Sequence, residues 1–90
     1  MREFEIKHEL EIILKKLFKK NKILYNQIMD KIKEITESYD VEHYKNLRYD
    51  MKDSKRTHIG HFVLIFNYNK KLDFISFEYF NHHDSIYKKR

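Results

Sequence analysis

Two amphipathic helical stripes followed by β-rich sequence predict an α+β fold: a two-helix hairpin packed on one face of a small antiparallel sheet of three to five strands. Three observations carry this expectation. Leu10, Ile13, Leu14, Leu17 and Phe18 recur at i, i+3, i+4, i+7 and i+8, and Leu24, Ile28, Ile32, Ile35 and Tyr39 form a second stripe after a short polar break. Both stripes lie in the first half of the chain, whereas runs of β-branched and aromatic residues fill the second. The only glycine, Gly60, interrupts the stretch KRTHIGHFVLIFN from Lys55 to Asn67, where a tight turn needs positive φ without a Cβ clash.

Taken in order, Glu3-Phe4-Glu5-Ile6 alternates and reads as a short edge strand. The first helix follows, with Lys15, Lys16, Lys19 and Lys20 on its wet side and last turn. Asn21 and Lys22 break the pattern, so the second stripe makes an αα-hairpin with the first. Ser38 to Glu42 ends the second helix without a glycine cap. The segment from His43 to Arg48 is a strand or an extended arm, and Tyr49 to Ser54 is polar loop. After the central hairpin, NYNKK (67–71) turns the chain into a third strand, Leu72 to Phe80. In that strand Ile75, Phe77 and Tyr79 should share one face, and Phe74, Ser76, Glu78 and Phe80 the other.

The chain has 90 residues, no proline and no linker-like segment, so one domain over 1–90 is expected. A hydrophobic content of 41% with 16% aromatics argues for a folded core. Cysteine is absent, which excludes a disulfide framework and a thiolate metal site. No apolar run approaches the ~20 residues of a membrane span, and the first residues lack the apolar core of a signal peptide. A cytoplasmic protein without membrane association is the expectation. The net charge is +5, and the second half of the chain carries nine Lys/Arg against five Asp/Glu together with four of the six histidines. That asymmetry favours a polyanionic partner such as nucleic acid.

With Ile59-Gly60 as the turn, His58 should face His61, Thr57 should face Phe62, and Arg56 should face Val63. One face then carries Arg56, His58, His61 and Val63, and the other Thr57, Phe62, Leu64 and Phe66. A guanidinium beside two imidazoles can bind a phosphodiester and move protons near neutral pH. The same residues could also be ordinary polar groups on the wet side of a sheet. Imidazole is also a ligand for zinc or nickel, but no cysteine or acidic residue completes a recognised spacing and Asp84 is the only nearby carboxylate. No metal and no small-molecule cofactor is expected.

The order of local sequences resembles the RelE/ParE toxin superfamily, and within it the RelE, YafQ-like branch. The resemblance rests on ELEIILKKL, on KIKEI late in the second helix, on YKNLR, on KRTHIGHFVLIF as a basic strand, glycine turn and following strand, and on HHDSIY near the end. It implies a RelE-like fold and the toxin of a type II toxin–antitoxin pair, a ribosome-dependent endoribonuclease (mRNA interferase). The implied chemistry is metal-free: the ribose 2′-hydroxyl attacks the adjacent phosphate in A-site mRNA, leaving a 2′,3′-cyclic phosphate. The implied partners are a RelB-like antitoxin, the ribosome and mRNA.

Carried over residue by residue, the resemblance places Arg56 and His58 at the two basic positions before the turn. Arg56 would clamp phosphate, and His58 would act as base or acid. Tyr87 matches the carboxyl-terminal tyrosine that orients a substrate base, and His83 stands where many members have arginine. Lys45, Lys55, His82, Lys88 and Lys89 are the further residues expected to touch RNA. The family's Tyr-Arg after the turn is Phe62-Val63 here, so a central arginine is missing. Either His61 and His83 take up its work, or catalysis is weakened or lost. The alternatives are a non-enzymatic, ParE-like gyrase inhibitor and a degenerate member that only binds an antitoxin.

Overall fold

The computed structural model describes residues 2–47 and 53–88. β1 (Glu3–Ile6) leads into α1 (His8–Lys20) and α2 (Lys22–Glu37). A 3-10 turn (Val41–His43) and an extended segment precede β2 (Ser54–Ile59), β3 (Phe62–Asn69), β4 (Phe74–His82) and α3 (His83–Lys88). Arg48 and the 49–52 part of the expected polar loop lie outside the described residues, as does Lys89.

Asn21 makes the helical hairpin with a single residue. Its backbone N–H donates to Leu17 O at 2.8 Å and closes α1, while its side-chain oxygen accepts from Leu24 N–H at 3.1 Å and opens α2. Glu9 and Glu11 in the first turn of α1, with Lys19 and Lys20 in the last, complement the helix dipole. α2 ends at Glu37 without glycine, and Arg2 supplies donors to carbonyls at and just beyond its end. The guanidinium binds the carbonyls of Thr36 at 3.5 Å and Tyr39 at 3.3 Å, and also that of Ser38. Tyr39, expected to close the second stripe, stands beyond the helix and is wholly exposed. Phe18 likewise lies at the edge of the core, under Lys22 Nζ at 4.0 Å from its ring centre.

The sheet has four strands in the order β1-β4-β3-β2. β2, β3 and β4 are antiparallel neighbours, while β1 pairs parallel with β4, so the sheet is mostly but not wholly antiparallel. A parallel pair needs a crossover, and the helical hairpin is part of it, which puts both helices on one face. Leu10, Leu14, Ile28, Ile32 and Ile35 meet Leu64, Phe66, Ile75, Phe77 and Phe80 there, each less than a tenth exposed.

Two registers differ from expectation. The β2–β3 turn is Gly60-His61, with Ile59 opposite Phe62 and His58 opposite Val63. Moving the turn by one residue lets Ile59 be buried and puts Gly60, at φ +61°, first in the loop. Each pairing then shifts by two positions along the partner strand, which preserves the faces. His61 alone leaves the sheet and joins the turn. In β4, Phe66 faces Phe77 but Ile65 faces Tyr79, so Glu78 is an extra, bulged residue. The bulge reverses the alternation: Ile75, Phe77 and Phe80 all face the helices, and Tyr79 does not share their side. Strand β4 accordingly starts at Phe74 and runs to His82, with Leu72 exposed in the turn before it.

Candidate active site on the β2–β3–β4 face

Arg56 and His58 point away from the helices because residues two apart in β2 share a face. Across the strand pair they face Ile65 and Val63. Those two apolar residues are 8% and 0% exposed, so the floor of this face is dry rather than wet. Above it lies a cavity of about 540 Å³, lined in part by Leu47, Ile65, Tyr79, Asn81, Ser85 and Ile86. α3 follows β4 directly and supplies the last two of these residues.

The start of α3 brings His83 onto β2. The rings of His58 and His83 stack with centroids 5.5 Å apart and planes 29° from parallel. Burial, the nearby Arg56 guanidinium and the His83 ring all lower the pKa of His58, in that order of size. A neutral imidazole is thus favoured at position 58 near pH 7. His83 Nδ1 lies 3.6 Å from Asp84 Oδ1, so a protonated His83 has a carboxylate beside it. Arg56 is held from the side: its Nε donates to Asn46 O at 3.1 Å and its backbone N–H to Lys45 O at 2.9 Å.

The expected site residues therefore divide into groups. Arg56, His58 and His83 come together. His61 and His82 form a second stacked pair, with centroids 6.3 Å apart, beside the turn, and the His83 backbone N–H donates to the His61 carbonyl at 2.8 Å. His82 is further fixed by Phe62, edge-on at 5.5 Å, and by the Asp84 N–H, which donates to its Nδ1 at 3.2 Å. Lys45 is exposed next to Arg56. Lys55 stands apart: it points to the helix side of the sheet with 2% exposure and pairs with Glu42 at 3.3 Å. Tyr87 and Lys88 belong to the α3 backbone, and their side chains lie outside the described residues. Among the described residues no three His, Asp or Glu side chains converge on a metal-sized position.

Sequence reasoning missed Asn46, Tyr79 and Asn81. Asn46 acts through its backbone carbonyl, which any residue supplies, so its identity carried no signal. Tyr79 and Asn81 line the cleft, and the Asn81 amide donates to the Tyr79 hydroxyl at 3.2 Å. The bulge at Glu78 hid Tyr79, because simple alternation put it on one face with Ile75 and Phe77.

No family profile matches the chain. A protein of Methanocaldococcus jannaschii named "Putative toxin RelE4" is 44% identical over 91 aligned positions, covering 100% of this chain and 95% of that protein. An uncharacterized protein of Methanosarcina mazei is 40% identical over 84, covering 92% and 95%. The crystal structure of the isolated E. coli RelE toxin has the same fold, with a TM-score of 0.67 at 17% identity over 91% of this chain and 84% of that one. Among the described residues no helix is long and apolar enough to cross a membrane.

Proposed function

The chain belongs to the RelE toxin family, and from that premise we propose that it is the toxin of a type II toxin–antitoxin pair that cleaves mRNA in the ribosomal A site. The observation that carries the chemistry is the stack of His58 on His83 beside Arg56. His58, held toward its neutral form, accepts the proton of the ribose 2′-hydroxyl as that oxygen attacks the adjacent phosphorus. Arg56 binds the non-bridging oxygens, whose charge grows in the phosphorane, through a planar fork that stays ionised. Protonated His83 donates to the leaving 5′-oxygen. The products are a 2′,3′-cyclic phosphate and a free 5′-hydroxyl, and every proton is accounted for by the two imidazoles.

Val63 occupies the position of the family's arginine and is fully buried beneath the site. In this reading the two histidine pairs replace its function, His83 as acid and His61 with His82 as contacts to the RNA flanking the cut. Lys45, Lys88 and Lys89 add attraction for the phosphate backbone, and Tyr87 orients a base by stacking. The protein acts in the cytoplasm, where a RelB-like antitoxin silences it and the ribosome presents the message.

The test is cleavage of a defined message on programmed ribosomes, with ends mapped by primer extension and with naked RNA and an Arg56→Ala protein as controls. Ribosome-dependent cuts in the A-site codon that disappear with the variant are expected. A folded wild-type protein that makes no cuts on ribosomes from its own source overturns the reading.

A further inference from the structure

The lysine next to the clamp arginine is buried, and the cleavage chemistry does not use it. Lys55 is 2% exposed, yet its ammonium has three oxygen partners. Glu42 Oε1 lies 3.3 Å away, and Nζ donates to Tyr44 O at 3.3 Å and to Asn46 Oδ1 at 3.1 Å. All three belong to the segment 42–46, which runs beside the outer edge of β2. Asn46 bridges Lys55 in antiparallel fashion, and the Leu47 N–H donates to Ser54 O at 2.7 Å. A second anchor ties the segment to the helices: the Tyr44 hydroxyl donates to Glu34 Oε2 at 2.6 Å, and its ring meets Phe66 edge-on at 5.6 Å.

The same segment holds Arg56. Its carbonyls at Lys45 and Asn46 accept the backbone N–H and the Nε–H of the arginine. Adjacent residues of a strand point to opposite faces. Lys55 therefore grips the segment from the core side, while the segment grips the guanidinium on the site side. An acceptor at Nε sets the plane in which the fork can meet a phosphate, and a misplacement of about 1 Å costs ~10²-fold in rate.

We propose that Lys55 is a positioning residue for Arg56, acting through the 42–46 segment that its ammonium fastens to the sheet. The placement of the guanidinium is independent of the nuclease reading; only its effect on rate rests on that reading. Removing the ammonium leaves no buried charge behind, because the Glu42 side chain is 44% exposed and rehydrates.

The experiment combines nitrogen-15 NMR of the arginine Nε–H groups with single-turnover cleavage on programmed ribosomes. The Arg56 signal is assigned by its loss in Arg56→Ala. In Lys55→Met it is expected to move toward the position of an unstructured arginine, and the cleavage rate to fall about 10- to 100-fold while half-saturation by ribosomes changes less. Glu42→Gln, a near-isosteric change at an exposed side chain, should shift the same signal in the same direction by a smaller amount. An unchanged Arg56 signal in Glu42→Gln and in any folded Lys55→Met protein overturns the proposal. If the signal moves as expected but the wild type cuts no RNA, positioning stands and the nuclease reading fails.

Discussion

Residue by residue, the site makes different demands on neighbouring side chains. Arg56→Ala should lower cleavage about 10²-fold or more while leaving the far-ultraviolet circular dichroism unchanged, since in the proposed mechanism the guanidinium stabilises charge and is no part of the core. His58 must be neutral to act as base, and its surroundings lower its pKa from the ordinary 6.5. A lowered value keeps the ring unprotonated further into acid, so cleavage should rise with pH through a midpoint below 6.5. His58→Ala should abolish that limb in a pH–rate profile, and an unaltered limb would remove His58 as the base. An arginine cannot simply be placed at position 63. Val63 is fully buried opposite His58, so Val63→Arg should cost about 1–3 kcal/mol from overpacking alone, read from urea unfolding.

At the scale of elements, the turn and the bulge carry the geometry. Gly60 has φ +61° and open space where a Cβ would go, so Gly60→Ala should cost about 1–2 kcal/mol from backbone strain and not from a clash. Gly60→Asn should cost less, because asparagine tolerates left-handed backbone; equal costs in urea titrations would contradict the strain argument. The helices were legible from their stripes, and so was the edge strand from four alternating residues. The place of the turn was not, because Ile59 suits a core and a strand end equally well until its cross-strand partner is known. The bulge at Glu78 was also hidden, since a residue that skips pairing leaves no mark on composition. Arg56 and His58 kept their shared face despite the shifted turn, whereas His61 did not.

For the whole molecule, the Arg2–Asp73–Tyr68 network joins the amino-terminal end to the β3–β4 turn. Arg2 Nε donates to Asp73 Oδ1 at 2.6 Å, and the Tyr68 hydroxyl donates to the same oxygen at 2.7 Å. The Tyr68 hydrogen bond, and after it Arg2, lowers the pKa of Asp73. A carboxyl lowered on folding contributes stability above its ordinary range that is lost as pH falls through the lowered value. Wild-type protein should therefore lose more stability than Asp73→Asn between pH about 5 and 2, in unfolding midpoints measured across that range. Asparagine suits the positive φ of 52° at this position, so the comparison isolates the charge.

The sequence by itself determined the α+β order, both helices, the basic strand and the family, because periodicity, charge and glycine act locally and survive without tertiary context. Only the tertiary structure decided that β1 runs parallel at the edge, that His83 stacks on His58 from 25 residues away in the chain, and that Lys55 is buried while Arg56 is not. Strand partners, a bulge and the landing point of a carboxyl-terminal helix depend on contacts between distant segments. Those contacts are selected by the joint packing of the core, which no single stretch of sequence encodes.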